Sequence, residues 1–139
     1  QDRERLMQDA GIVRNKRKID AAITNARAVI ALRGALAAEA DAHRAGRMGE
    51  APLTHLLRPR QSYPRHLGEL VWLYQPNYQP RPRCAQEVPA QTEESRALSL
   101  ELKRRGFVFV GPVTALALMS AIGIVNTDIL GTWKRPLTE

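Results

Sequence analysis

A chain of 139 residues is long enough for one domain with one modest hydrophobic core. Its one cysteine, Cys84, excludes a disulfide framework within the chain and fits a reducing compartment. Lys and Arg number 21 against 14 Asp and Glu, a net charge of +7 that points to an anionic partner. Nucleic acid is the commonest such partner, and a basic but merely solvated surface is the plain alternative.

The N-terminus is charged and polar and carries no apolar signal segment. The chain starts at Gln1 and enters helix-like sequence at once, as a fragment of a longer protein would. Residues 2–10, DRERLMQDA, read as a short helix with Leu6, Met7 and Ala10 on its apolar side. Gly11 can take the left-handed conformation that ends a helix. Asn15 can then cap a second helix, KRKIDAAITNARAVIAL, in which Ile19, Ile23, Ala26 and Ile30 share one face. Ala-rich sequence can carry that helix on through Gly34 to about Ala45. From Gly46 to Arg65 the composition turns to Gly, Pro and Arg, and the pattern reads as a loop.

HLGELVWLYQ is the next short helix, with Leu70, Trp72 and Leu73 on it. The segment PNYQPRPRC is extended and broken by proline. Thr92 is placed to cap EESRALSLELKRR, which buries Leu98 and Leu102 and stops at Gly106. Lys103, Arg104 and Arg105 then sit at the negative end of the helix dipole, and phosphate contact is their other reading. Phe107 to Val125 is a 19-residue run without a charge, long enough to span a bilayer. Gly111-Pro112 breaks it, and Thr114 and Ser120 interrupt it. A core helix entered through extended FVFV is therefore expected, with no membrane span. No repeat is visible, and the fold class from pattern alone is all-α.

The stretch Asp9–Ile19, DAGIVRNKRKI, carries the chemistry. Backbone N–H groups at the start of the second helix, and its dipole, attract phosphate. Arg14, Lys16, Arg17 and Lys18 add charge at the same point. Such a turn holds a DNA backbone without reading bases. A tight turn with a solvated basic face has the same sequence signature.

Three strings occur in one order: LMQDAGIVRNKRKIDAAITNARA, LVWLYQP, and TEESRALSLELKRRGFVFVGPVTALALMSAIGIVN. Together they closely resemble the 3-methyladenine DNA glycosylase I family of the helix-hairpin-helix superfamily. The resemblance covers nearly the whole chain apart from about residues 34–66, which look like a variable insertion. It implies a single helical domain over 1–139, with the hairpin unit at about 2–33 and C-terminal helices over 67–139. It implies a bacterial, cytoplasmic repair enzyme, a monomer, that flips an alkylated base such as 3-methyladenine from duplex DNA and hydrolyses its N-glycosidic bond. The target atom is out of reach inside the stack, so flipping is required. The hairpin Gly11, Ile12, Val13, Arg14, Asn15, Lys16, Arg17 and Lys18 would anchor the duplex through phosphates. Leu116, Ala117 and Ser120 would lie at the periphery of the base pocket. A hairpin module that grips DNA and has lost catalysis is the alternative, and a domain whose basic face meets an acidic protein is a third reading.

The resemblance also marks departures. Family members carry a segment before the equivalent of Gln1 that holds the pocket's acidic residue, most of its aromatics and two zinc ligands. Where the family supplies a zinc-binding His and Cys, this chain has Asp128 and Thr132. Threonine is a poor zinc ligand, so no metal and no cofactor are expected. His43, His55 and His66 lack ligand-like spacing and are expected on the surface. Leu116 and Ser120 stand where the family has an aromatic and Gln, which loosens the expectation of a 3-methyladenine pocket. Asp20 lies too early and Asp41 is expected in solvent, so no catalytic residue is assigned. Trp72 and Tyr74 are expected in the core rather than stacked on a base.

Overall fold

A computed structural model describes residues 2–137. Five helices occur in order: α1 (Asp2–Gln8), α2 (Lys16–Arg44), α3 (Leu67–Trp72), α4 (Glu93–Arg104) and α5 (Pro112–Ala121). Short 3-10 turns lie at Met48–Glu50, Thr54–Leu56 and Ala85–Glu87. There is no strand among the described residues, whose sheet-like pairing is an isolated bridge between Thr132 and Arg135. The all-α expectation holds.

Helix α2 is the spine. Asn15 caps it, its side chain accepting from the Lys18 N–H at 3.1 Å. Its 29 residues run unbroken through Gly34, and His43 and Arg44 lie in the last turn, where cations suit the dipole. At 1.5 Å per residue it is about 43 Å long. The side it buries is not the one expected. Ala21, Ala28, Leu32 and Leu36 face the core, whereas Ala26 is exposed and Ile30 is 72% exposed. Ile19 alone of the expected face is buried. At 100° per residue, Ile30 lies nearly opposite the Ala28–Leu32–Leu36 stripe. Both stripes have helical spacing, and the one that met a partner is the Ala/Leu stripe.

One core cluster collects Leu32 and Leu36 with Leu70 and Val71 of α3, Leu98 and Leu102 of α4, and Leu116 and Met119 of α5. Residues 46–65 lack regular helix, as the composition predicts, yet Ala51, Leu53 and Tyr63 belong to this same cluster. Tyr63 holds them there: its hydroxyl donates to Glu39 of α2 at 2.7 Å and accepts the Leu53 N–H at 3.2 Å. Burial, then the Glu39 carboxylate, pushes the phenol pKa up, so Tyr63 stays a donor at any ordinary pH. Glu39 also accepts from Arg105, 2.9 Å away, and Arg105 reaches Glu101 of α4 at 2.5 Å. The Arg105 side chain is only 6% exposed, so this charge is paired twice because it is buried.

The remaining elements end as their caps dictate. His66 caps α3 by accepting from the Glu69 N–H. Thr92 and Ser95 form a reciprocal capping box at α4. Gly106, at φ 87°, closes α4 in the left-handed region, as expected. Gly11 does not take that conformation; its N–H instead donates to the Asp9 carboxylate at 2.8 Å. Tyr74 is buried, and burial raises its pKa to about 12. Trp72 departs from expectation and is 45% exposed, because α3 turns Leu70 and Val71 inward instead. His55 and His66 are on the surface, whereas His43 is half-buried against Tyr63, with ring centres 5.6 Å apart. Helix α5 has 10 residues, about 15 Å, which is half a bilayer core. Among the described helices α2 has the length and apolar content of a span, and it lines the core along one side.

Two stability outcomes follow from this packing. Arg105→Met leaves Glu39 and Glu101 without their shared cation and is expected to cost about 3 kcal/mol in chemical denaturation. A loss under 1 kcal/mol would show that the pair does not hold α2 to α4. A Cβ at Gly34 meets open space inside a continuous helix, so Gly34→Ala should stabilise by about 0.5–1 kcal/mol. Destabilisation would mean that α2 is interrupted there.

Candidate nucleic-acid interface

Between α1 and α2 the chain makes a tight turn held by its own polar groups. Asp9 accepts from the Gly11 N–H, the Asn15 N–H donates to the Val13 carbonyl at 2.8 Å, and Asn15 caps α2. Because Asn15 takes the Lys18 N–H and its carbonyl takes that of Ile19, the Lys16 and Arg17 N–H groups meet no acceptor among the described residues. They point out at the positive end of a 29-residue helix. Residues 11–18 are all exposed, and Val13 at the tip is 84% exposed.

The basic residues of this turn are not equivalent. Lys16 is 3.2 Å from Asp20, and Arg3 of α1 pairs with the same carboxylate at 2.6 Å. The Lys16 hydrogen bond and the two positive charges hold the Asp20 carboxyl below its usual range. Arg14, Arg17 and Lys18 have no ionic partner among the described residues. Asp20 thus ties α1 to α2 and takes part of the hairpin's charge. At the other basic cluster, Arg104 and Arg105 are both committed to Glu101. Burial opposes ionisation of Glu101, but the two guanidinium groups outweigh it and keep its carboxyl below the usual range. Arg104 and Arg105 thus form ion pairs within the fold, which neither the dipole reading nor the phosphate reading of Lys103–Arg105 describes.

A second feature lies on the hairpin half of α2. The Asn25 side chain grips both sides of the Val108 peptide, accepting its N–H at 2.9 Å and donating to its carbonyl at 3.1 Å. Ser99 of α4 donates to the Val110 carbonyl at 2.5 Å. Phe107 is buried, and between these anchors Phe109 stands 62% exposed in the left-handed region, at φ 58°. A non-glycine residue there is strained and persists only where its surroundings hold it. The clamp positions α5. On that helix Leu116 is buried in the core, Ala117 is exposed, and Ser120 is half-buried. Ser120 Oγ lies 2.8 Å from Thr127 Oγ1, beside a cleft of about 530 Å³ lined also by Asn126, Asp128 and Lys134.

The tail beyond α5 is organised by a cation. Arg135 is buried and donates through one nitrogen to the carbonyls of Pro80 at 2.6 Å, Asn126 at 3.1 Å and Asp128 at 3.4 Å. Thr132 Oγ1 donates to the Ile129 carbonyl at 2.8 Å, and the Asp128 N–H donates to the Asn126 side chain at 2.9 Å. No three His, Cys, Asp or Glu side chains come together as metal ligands among the described residues. A cleft of about 620 Å³ beside His43, Tyr63 and Arg65 lies at the opposite end of α2 from the hairpin, about 40 Å away. Its guanidinium groups are neutralised by neighbours: Arg65 holds Glu69, whose carboxyl is pulled down to about 2, and Arg44 pairs with Asp41.

Asn25, Ser99, Glu39 and Arg135 carry this architecture, and sequence reasoning did not single them out. Asn25 and Glu39 sit inside an Ala-rich helix and read as surface polar residues. Only their contacts, 83 and 66 positions away, give them meaning.

Comparison with known proteins identifies the family. The model of the methyladenine glycosylase family matches residues 1–55 and 55–135. DNA-3-methyladenine glycosylase 1 of Escherichia coli is 36% identical over 134 residues, covering 94% of this chain and 56% of its own length. DNA-3-methyladenine glycosylase of Haemophilus influenzae is 29% identical over 131 residues, covering 92% and 55%. A crystal structure of 3-methyladenine DNA glycosylase I superposes with a TM-score of 0.68 at 30% identity, covering 97% of this chain and 60% of that one. The chain therefore spans a little over half the length of the curated relatives that it matches.

Proposed function

The chain belongs to the methyladenine glycosylase family, and on that premise we propose that it is the DNA-holding part of a base-excision repair glycosylase acting on alkylated bases such as 3-methyladenine. The observation that carries this reading is the hairpin. Two unsatisfied N–H groups, a long helix dipole and the unpaired Arg14, Arg17 and Lys18 converge on one exposed turn. That is a backbone phosphate grip, sequence-independent, as an enzyme searching for a damaged base requires. Gly11, Ile12 and Val13 form its tip, where a close approach of the backbone to the duplex is unobstructed.

The chemistry of the substrate asks little of the protein beyond flipping and recognition. An N3-alkylated adenine carries positive charge and departs from C1′ as a neutral base. Water supplies hydroxide to C1′ and a proton to solvent. In this reading Ser120, Ala117 and Leu116 stand behind the pocket wall, with Ser120 at the open cleft and Leu116 supporting from the core. A second reading is favoured by one specific observation: Asp20, Glu39, Asp41, Glu69 and Glu101 are each committed to a guanidinium or ammonium group. With these five acids engaged, the chain would bind DNA and leave catalysis to residues elsewhere, or have none.

Two measurements decide. The double variant Arg17→Ala/Lys18→Ala should weaken duplex binding and reduce the slope of log affinity against log salt by about 2, whereas Lys16→Ala, whose charge Asp20 already shares, should do less. Unchanged affinity and slope in the double variant would show that the hairpin is not the grip. Release of 3-methyladenine from methylated duplex, measured with the natural polypeptide that contains these residues, tests the activity. Release supports the glycosylase, and binding with no release of any methylated base establishes the non-catalytic module.

A further inference from the structure

The family resemblance assigns two zinc ligands to the loop and tail beyond α5, at the positions that Asp128 and Thr132 occupy. The residues here do not fit that metal. A structural zinc takes thiolate, imidazole or carboxylate ligands, each freed of its proton. The Thr132 hydroxyl keeps its proton and gives it to the Ile129 carbonyl at 2.8 Å. Asp128 has a carboxylate to offer, but a positive charge already sits against its backbone. Arg135 is buried, and its Nη1 lies 2.6 Å from the Pro80 carbonyl oxygen, 3.1 Å from that of Asn126 and 3.4 Å from that of Asp128. Carbonyl oxygens converging on one point are how proteins hold hard cations. Here the cation is the chain's own side chain. A buried charge without partners is costly. Carboxylates answer that cost at Arg105, whereas Arg135 meets carbonyls and no carboxylate among the described residues. Lys134, beside it in sequence, stands over the Trp133 ring instead.

The three carbonyls come from separate parts of the chain. Pro80 lies in the proline-broken stretch before α4, and Asn126 and Asp128 follow α5. Other bonds cross the same junction. Gln79 accepts the Asn126 N–H at 2.8 Å and donates to the Ile124 carbonyl at 3.0 Å, and the Leu130 N–H donates to the Pro82 carbonyl at 2.9 Å. The turn that brings Arg135 back is closed by the Gly131 N–H, which donates to the Arg135 carbonyl at 2.8 Å. The loop fixed in this way supplies Asn126 and Asp128 to the Ser120 cleft, and its Val125 carbonyl and Thr127 hydroxyl both reach Ser120. We propose that Arg135 is a built-in structural cation that takes the place of zinc in this chain. It cross-links residues 79–82, the loop 124–128 and the tail, and it positions the wall of the Ser120 cleft without a metal. The comparison with zinc rests on the family reading above, and the cage rests on its own geometry. Arg135 acts as a positioning residue, through the loop. A metal cross-link is lost to a chelator, whereas a guanidinium is a permanent cation that no chelator removes.

The test uses the natural polypeptide that contains these residues and reads amide exchange at Asn126, Leu130 and Gly131, whose N–H groups bond across the junction. With EDTA in excess, exchange at these amides should not change. Arg135→Ala should speed it by about tenfold, with the amides of Leu98 and Leu102 in α4 unaffected. Arg135→Lys, which keeps a cation with several donors, should restore part of the protection. Guanidinium chloride added to the Arg135→Ala protein, far below denaturing concentration, should also restore protection. Urea at the same concentration, planar like guanidinium but uncharged, should not. Zinc bound one to one, whose removal by EDTA exposes these amides, overturns the proposal. So does protection that survives Arg135→Ala. So does a loss that neither Arg135→Lys nor guanidinium repairs, or that urea repairs equally, because charge is then not the agent. If Arg135→Ala does not fold, chelation of the unsubstituted polypeptide decides alone. Base release is scored on the same samples. Release with chelator-sensitive amides overturns closure by Arg135 and leaves the glycosylase reading standing, and no release with Arg135-dependent amides does the reverse.

Discussion

The fold depends on how one buried cation is paired. Arg105 sits at the end of α4 with its side chain almost wholly inside, and a guanidinium there is tolerable only if carboxylates meet it. Glu101 does so from within α4 and Glu39 from α2, 66 residues away. Glu39 in turn takes the Tyr63 hydroxyl, which takes the Leu53 amide. One chain of hydrogen bonds therefore fixes α4 to the spine and folds residues 51–63 onto both. Desolvation of the charge makes its partners obligatory, and among the described residues no buried side-chain nitrogen or oxygen is left without a hydrogen bond.

With α4 fixed, the rest of the molecule sorts by charge. The N-terminal end of α2 keeps three uncommitted cations and two open amides. The C-terminal end keeps arginines too, but Asp41 and Glu69 neutralise them. The same residue type therefore means different things at the two ends, and pairing decides which end can hold a polyanion. Along the side of the spine, Asn25 reaches to Val108 and sets α5 on the hairpin half. The basic turn, strained Phe109 and the Ser120 cleft thus follow one another along connected elements, while the larger cleft at His43 lies away from them.

Much of this was legible from local rules. Asn15 and Thr92 cap the helices expected of them, Gly106 ends α4, and Pro112 opens α5. These are short-range signals in which side chain and backbone lie within three residues of each other. What failed was assignment of faces. Ile19, Ile23, Ala26 and Ile30 have the spacing of a core face, yet the core took the smaller Ala21–Ala28–Leu32 stripe, which allows closer approach of neighbouring elements. Trp72 and Gly11 failed for a related reason: which side a short helix turns inward, and whether an aspartate tightens a turn, are settled by neighbours that spacing does not reveal. The hairpin was legible as a charged helix start. That Lys16 shares Asp20 with Arg3, while Arg17 and Lys18 have no ionic partner among the described residues, is geometry that composition cannot supply.

The central claim is that the turn between α1 and α2 is where this chain meets DNA. Backbone hydrogen–deuterium exchange of the chain, with and without an undamaged duplex at low salt, tests it most directly. Protection centred on residues 11–18, led by the amides of Lys16 and Arg17, is the expected result. Protection that spares this turn and concentrates on α5, or at the cleft beside His43, would contradict it.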